Sequence, residues 1–190
     1  MKQQWQIVHS IHTAISKYLA AILLSTYCLL IQGCFLQQEP LQIDIQPRTP
    51  EQMSAFYEAR GFPQAMIDAL ETTCYMTVHI KNTSQDVLWL DLSLWRFTIG
   101  DISLKRFHRN EWLQRWKEMD IPLRFQSTFR WTLIPELLDY QPGEEEGGNI
   151  ILKRTQEPIT LHAVFPIGQD KQGKAHTVKI DNLRCAENLP

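Results

Sequence analysis

The first hydrophobic pattern along the chain is an apolar run near the N-terminus. Residues 18–31 carry no charged side chain, Lys17 precedes them, and the small residue Gly33 follows them. A positive flank, a short apolar run and a small residue are the order of a secretory signal peptide. The run is short for a bilayer span, which needs about 20 residues. Since it approaches that length when extended to Leu36, an uncleaved membrane anchor is the alternative.

Helical spacing begins after a stretch without periodicity. Residues 34–48 contain Gln and Pro and lack helical periodicity, which predicts a tether. Thr49 and Gln52 then form a capping-box pattern, with Pro50 at the first helical position. The pattern predicts a helix that begins there and ends at Gly61.

Two further helices are predicted. One is short and follows Pro63. The other is capped by Asn110 and ends near Asp120, because Trp112 and Trp116 lie four residues apart and therefore share a face.

The remaining segments alternate apolar and polar residues with a period of two, which is typical of half-buried strands. The clearest is 123–134, where Leu123, Phe125, Phe129, Trp131 and Leu133 would line a core face. The other predicted strands cover 74–81, 87–97 and the stretches near 149–153, 158–166 and 176–184.

Several strands joined by Gly, Pro and Asn turns, without regular strand–helix alternation, predict a mainly β fold. We expect an antiparallel, immunoglobulin-like β-sandwich with short N-terminal helices and one inserted helix. In this organisation residues 1–33 are a signal peptide, 34–48 a tether, and 49–190 a single globular domain.

The junction after the apolar run reads Leu30-Ile31-Gln32-Gly33-Cys34 and resembles the lipobox of bacterial lipoproteins. The resemblance implies that Cys34 is lipidated (a palmitate-type modification) and becomes the new N-terminus. Several acyl chains on one residue give durable membrane attachment. Because Phe35 stands where an Asp would retain a lipoprotein at the inner membrane, the resemblance implies the periplasmic face of the outer membrane. An uncleaved helix would instead place the protein in the inner membrane.

The four cysteines separate by position. Cys28 lies within the apolar run and Cys34 is the lipid site, which leaves Cys74 and Cys185. In an exported protein two leftover cysteines usually pair, so a disulfide bond is predicted between them. A metal site or a reactive thiol is the alternative.

Charge excludes one class of partner. Residues 1–33 contain Lys2 and Lys17 and no acidic residue, so the remaining chain has 17 basic and 21 acidic side chains and a formal charge of −4. A weakly acidic domain has no surplus of cations to displace phosphate counterions. Binding to nucleic acid is not expected.

No motif predicts catalysis, a metal or a cofactor. The histidines after residue 34 are more than four residues apart, and Met76 and His79 would point to opposite faces of a strand. Glu144, Glu145 and Glu146 lie in a glycine-flanked stretch that predicts a solvated loop. Since a nucleophile motif and a phosphate-binding loop are also missing, the protein is not expected to be an enzyme.

Tryptophan and arginine are concentrated between residues 89 and 131. Both are enriched where one protein binds another, although tryptophans also fill cores. The set comprises Trp89, Trp95, Trp112, Trp116 and Trp131 with Arg106, Arg109, Arg115, Arg124 and Arg130. The predicted partner-binding residues are Trp112, Arg115, Trp116, Arg124 and Arg130.

Taken with the lipobox, these patterns predict a lipid-anchored binding or assembly accessory of a bacterial envelope complex. The alternative is a periplasmic lipoprotein that carries a small ligand or a metal. A flat, exposed Trp/Arg patch would favour the first, and a deep pocket with converging histidines or carboxylates would favour the second.

Overall fold

The computed structural model describes residues 39–188. The signal peptide, Cys34 and residues up to 38 lie outside this range, as do the last two residues. The strands are β1 (Leu41–Arg48), β2 (Thr73–Asn82), β3 (Leu88–Asp91), β4 (Arg96–Ile99), β5 (Ile102–Leu104), β6 (Leu137–Tyr140), β7 (Glu145–Lys153), β8 (Ile159–Phe165) and β9 (His176–Leu183). The helices are α1 (Pro50–Glu58), α2 (Gln64–Glu71), α3 (Arg109–Glu118) and α4 (Leu123–Thr132).

The strands form three antiparallel sheets, in the orders β1-β2-β7, β3-β6 and β5-β4-β8-β9. Apolar side chains from all three sheets meet in one core. Buried and half-buried residues alternate along β3 and β8, which gives each of them one buried row, as in sheets that pack face to face. The predicted mainly β, antiparallel β-sandwich is confirmed.

The predicted disulfide is also confirmed. Cys74 at the start of β2 is bonded to Cys185, which follows β9, with 5.1 Å between the Cα atoms. The bond links the first sheet to the end of the third and spans 111 residues of sequence.

Strand β1 corrects the predicted tether of residues 34–48. It pairs with β2 from Leu41 opposite Asn82 to Arg48 opposite Tyr75. Apolar and polar residues alternate along this segment, but its Gln and Pro content led to the tether prediction. Any tether therefore ends before Leu41.

Helix α1 confirms the prediction made from its capping residues, and helix α2 confirms the short helix predicted after Pro63. The Thr49 hydroxyl accepts from the Gln52 amide, and the Gln52 side chain accepts from the Thr49 amide. Helix α3 begins at Arg109, two residues earlier than a cap at Asn110 predicts. Its cap is His108, whose amide donates to the Glu111 carboxylate at 2.7 Å.

The predicted strand 123–134 is wrong, because this segment forms helix α4. Its apolar set alternates, but Phe125, Phe129 and Leu133 also recur every four residues, close to the helical period. Packing selects the helical pattern: Phe129 is buried, whereas Leu123 is 79% and Trp131 83% exposed.

The predicted strand 87–97 is interrupted. A 3-10 turn at Leu92–Leu94 separates β3 from β4, which belong to different sheets. The Asp91 carboxylate accepts from the amide and the hydroxyl of Ser93 and so stabilises the turn. The predicted strands near 149–153, 158–166 and 176–184 are confirmed as β7, β8 and β9.

Candidate binding cleft

The two faces of β2 differ in what covers them. Met76, Val78 and Ile80 point into the sandwich core, while Tyr75 belongs to a second apolar cluster beneath the helices. Because side chains alternate along a strand, Thr77 and His79 lie on the same face as Tyr75. That face carries the helices at its Tyr75 end only, since Thr77 is half-buried and His79 is exposed.

The second cluster buries two of the predicted partner-binding residues. Trp112 is 2% and Trp116 0% exposed, and their rings stack with centroids 4.9 Å apart. The rings of Phe129 of α4 and Trp116 pack in a T-shaped arrangement, with their centroids 5.3 Å apart. The prediction that Trp112 and Trp116 contact a partner is wrong, because their shared face of α3 packs inward against α4.

The predicted arginines Arg115, Arg124 and Arg130 are exposed. The structure does not bring all three into one site. The Arg115 guanidinium lies over the Trp112 ring, whereas Arg124 and Arg130 belong to α4. Their role in partner binding stays a prediction.

A cleft opens between the helices and the uncovered end of the sheet face, with a volume of about 570 Å³. Helix α1 supplies one wall, α4 the opposite wall, and β1, β2 and β7 the floor. The side chains that define it are Met53, Phe56, Tyr57, Trp131, Thr132, Arg48, Thr77, His79 and Asn149.

Gly147 and Gly148 of β7 also line the cleft. Gly147 lies opposite His79 in the pairing with β2, where a side chain would project over the floor. At Gly148 there is no room for a side chain, because a Cβ there would collide with the backbone of Ile134. The two glycines therefore keep the floor low and allow the chain after α4 to approach the sheet.

Trp131 lines the cleft and is 83% exposed. A large indole left in water on an ordered helix contributes little to folding, so it is available to contact a partner. The alternating pattern placed this residue in a core, and only the four-residue spacing of Phe125, Phe129 and Leu133 could have shown that Trp131 lies outside it.

A chain of hydrogen bonds joins the elements of the floor. Arg48 Nε donates to Thr77 Oγ1 at 2.9 Å, and that hydroxyl donates to Asn149 Oδ1 at 2.9 Å. Asn149 Nδ2 then donates to the carbonyl of Thr132 at 2.6 Å. Side chains from three strands and the end of α4 are thereby held in fixed positions, which favours a preformed site.

A second chain runs beneath the wall formed by α1. The Thr132 hydroxyl donates to the Phe129 carbonyl, so it accepts from the Tyr57 hydroxyl at 2.8 Å. The Tyr57 hydroxyl in turn accepts from the Tyr75 hydroxyl at 2.6 Å. Burial raises the pKa of Tyr57. Burial and the neighbouring Tyr57 together raise the pKa of Tyr75 well above 10.0. Both phenols therefore stay neutral and act as structural hydrogen-bonding groups.

Arg48 keeps hydrogen-bonding capacity toward the cleft. One Nη2 hydrogen goes to Gln46 Oε1 at 3.1 Å, and Nε is held by Thr77. A guanidinium has five N–H donors, so donors remain on both Nη atoms. Within residues 39–188 no carboxylate forms an ion pair with Arg48.

The structure places the other candidate ligands apart. Across the described part of the chain, no group of three His, Cys, Asp or Glu side chains is arranged to hold a metal. Met76 faces the sandwich core and His79 the cleft, as predicted for that pair. The predicted loop at Glu144–Glu146 is corrected in part, because β7 begins at Glu145.

No protein-family model and no curated protein sequence matches the chain. Two solved structures resemble it. The candidate lipoprotein ycdA from Bacillus subtilis subsp. subtilis str. 168 is 18% identical, with a TM-score of 0.37 over 58% of this chain and 29% of that chain. A FixG-related protein from Vibrio parahaemolyticus is 10% identical, with a TM-score of 0.31 over 77% of this chain and 97% of that one. This chain thus spans less than a third of the Bacillus protein, and neither likeness carries an argument about function.

Proposed function

We propose that the protein is a lipid-anchored, non-catalytic binding accessory of a bacterial envelope complex, and that it holds its partner in the cleft and on the exposed side of α4. The observation that carries this proposal is Trp131, an exposed indole at a cleft whose floor is already fixed by hydrogen bonds. Arg124 and Arg130 are exposed on the same helix and supply the predicted Trp/Arg patch without Trp112 and Trp116.

The anchor rests on the sequence at Cys34 and on the cysteines that remain. The lipobox assigns Cys34 to lipid, and the bond between Cys74 and Cys185 suits an oxidising compartment. None of the helices within residues 39–188 is long and apolar enough to cross a membrane. Phe35 favours the outer membrane.

Intact mass spectrometry of membrane-extracted protein tests the anchor. We expect the mass of an acylated chain from Cys34 to Pro190, which gains two hydrogen atoms when the disulfide is reduced. The mass of the full chain from Met1 would contradict lipidation and favour the uncleaved helix.

The composition of the cleft supports binding over catalysis. Its titratable side chains are Arg48, His79 and the two buried tyrosines, and none of its described lining residues is an Asp, Glu, Cys or Ser. Asp44 of β1, the acidic side chain opposite His79, accepts from Gln46, so the lining itself offers His79 no acidic or nucleophilic group with which to form a catalytic pair.

Photo-crosslinking in intact cells tests the binding surface. A photoreactive residue at Ser127, exposed one turn from Trp131, is expected to capture a discrete partner that is lost in Trp131→Ala and retained in Leu137→Ala on β6, an exposed leucine outside the cleft. The matched control is the same photoreactive group at Ile102 on β5, which is also exposed. Equal capture from both positions, or capture that ignores Trp131, would contradict the proposal.

The size of the cleft favours a second candidate, a carrier of a small ligand. Ligand pockets commonly measure about 300–1,000 Å³, and this cleft is about 570 Å³. Native mass spectrometry of the extracted protein distinguishes the candidates, since a carrier would retain a small molecule that denaturation releases.

A further inference from the structure

The charge of the cleft is opposite to the charge of the chain. From Cys34 onward the chain carries a formal charge of −4, yet Arg48 is the one formally charged side chain among the described lining residues. Asp44 of β1 lies opposite His79 at the edge of the floor and accepts a hydrogen bond from Gln46, which itself accepts from Arg48. The Arg48 end of the cleft is therefore the part that is complementary to an anionic group.

One further guanidinium lies at a cleft wall. Arg60 lies over the Phe56 ring, 3.6 Å from its centroid, and Phe56 lines the cleft. Arg60 adds a positive charge at the rim that would attract an acidic partner before contact.

The geometry of Arg48 selects a carboxylate. Thr77 and Gln46 hold the guanidinium through Nε and one Nη2 hydrogen, which leaves donors on both Nη atoms. Two parallel N–H donors match the two oxygens of a carboxylate in an end-on pair.

The walls and the floor identify what carries this carboxylate. Phe56 and Trp131 offer aromatic surface to an apolar side chain. The floor, however, also carries the exposed imidazole of His79. An acyl chain would bury this group without a new hydrogen bond, which is costly, whereas a peptide backbone can supply one. The combination favours a protein segment over a lipid.

We propose that the cleft binds an acidic, apolar segment of a partner protein: a carboxylate pairs with Arg48, and an adjacent aromatic or aliphatic side chain packs between Phe56 and Trp131. This inference rests on the proposed binding function and adds the chemistry of the partner.

The test uses the full-length protein in lipid nanodiscs and three fluorescent peptides of equal length. The first alternates Phe with Glu, the second replaces each Glu by Lys, and the third replaces each Phe by Ser. Sodium oleate is a fourth probe and represents a lipid. The variants are Arg48→Gln, Arg48→Lys and Trp131→Ala, with Arg96→Gln on β4 and Leu137→Ala on β6 as exposed controls outside the cleft.

We expect only the Phe/Glu peptide to bind. Its affinity should fall about tenfold or more in Arg48→Gln, as expected for the loss of a charge-assisted hydrogen-bonded pair. Arg48→Lys should recover only part of it, because an ammonium lacks the fork. Trp131→Ala should also weaken binding, and neither control variant should. Thermal unfolding of each variant verifies that it is folded.

Two results overturn the inference while leaving the proposed function standing. One is equal binding of the Phe/Lys peptide, and the other is tighter binding of oleate than of the Phe/Glu peptide. If the Phe/Glu peptide fails to bind while crosslinking from Ser127 still depends on Trp131, the partner chemistry is wrong but the surface is right. If both fail, the proposed function falls as well.

Discussion

The two faces of β2 are built from the same strand but have different covers. On the sandwich face, Met76, Val78 and Ile80 are buried under a second layer of sheet. On the helix face, Tyr75 is buried, Thr77 half-buried and His79 exposed. A sheet covers its neighbour along the whole strand, whereas helices cover only the length over which they pack, so the uncovered remainder becomes the cleft.

The tryptophans beneath and beside the helices show the same contrast between covered and uncovered positions. Trp112 and Trp116 fill the space between α3 and α4, while Trp131 of α4 remains in solvent. Trp112 and Trp116 should therefore contribute to the stability of the fold, whereas Trp131 should contribute to binding.

Replacing Trp116 by Ala should cost about 4 kcal/mol in the free energy of unfolding, because the cavity left between α3 and α4 cannot collapse. Denaturant unfolding followed by circular dichroism measures this loss. A cost below about 1 kcal/mol would mean that the indole is not packed as the structure shows.

Removing the disulfide by the double substitution Cys74→Ala and Cys185→Ala should cost about 3 kcal/mol, since the unfolded chain regains the freedom of a long closed loop. The same unfolding experiment on the wild-type protein with reductant is the control. An unchanged unfolding midpoint in both would contradict a structural role for the bond.

The direction of the tyrosine hydrogen bonds predicts unequal losses. Tyr57→Phe should cost about 2 kcal/mol, because it leaves the buried Tyr75 donor and the Thr132 acceptor without their partner. Tyr75→Phe removes only the donor at the end of the chain and should cost about 1 kcal/mol. Equal losses in the two variants would mean that the hydroxyls are oriented differently.

Stability should also fall at alkaline pH. The pKa of Tyr75 is raised in the folded protein, so its contribution is complete below the unfolded value of 10.0 and is lost as pH rises above it. Between pH 9 and pH 11 the wild type should lose about 1 kcal/mol more than Tyr75→Phe. Denaturant unfolding at both pH values measures the difference, and parallel losses would show that Tyr75 ionises normally.

The smallest effect is expected for Trp131→Ala, which should change the free energy of unfolding by no more than about 0.5 kcal/mol, because the indole is mostly in solvent. It is the direct counterpart of Trp116→Ala in the same assay. A loss comparable to that of Trp116→Ala would place Trp131 in the core and remove the basis of the proposed site.

The sequence predicted the sandwich, the disulfide and the helices whose signals are local. Capping residues at Thr49 and Gln52 act within one turn, and alternation in β8 records a single buried face. The sequence-based prediction failed at α4, because the apolar residues there fit both a period of two and a spacing of four. Only contact with α1 and α3 decides between them.

The cleft itself could not be predicted, because its parts come from distant segments. Arg48 lies on a strand that the composition assigned to a tether, and Trp131 on a helix that the alternation assigned to a strand. Neither residue carries a motif, and both acquire a role only when β1 pairs with β2 and α4 packs over the sheet. Sequence reasoning selected Trp112 and Trp116, which are buried, and did not select Trp131, which is exposed at the cleft.

Oxidative footprinting in living cells tests the central claim that the open end of the helix face is occupied by a partner. Hydroxyl radicals should label Trp131 rapidly in the isolated protein and several times more slowly in intact cells, while labelling of the exposed Met119, outside the cleft, stays the same. Equal labelling of Trp131 in both settings would contradict the claim, because the cleft would then be empty where the protein works.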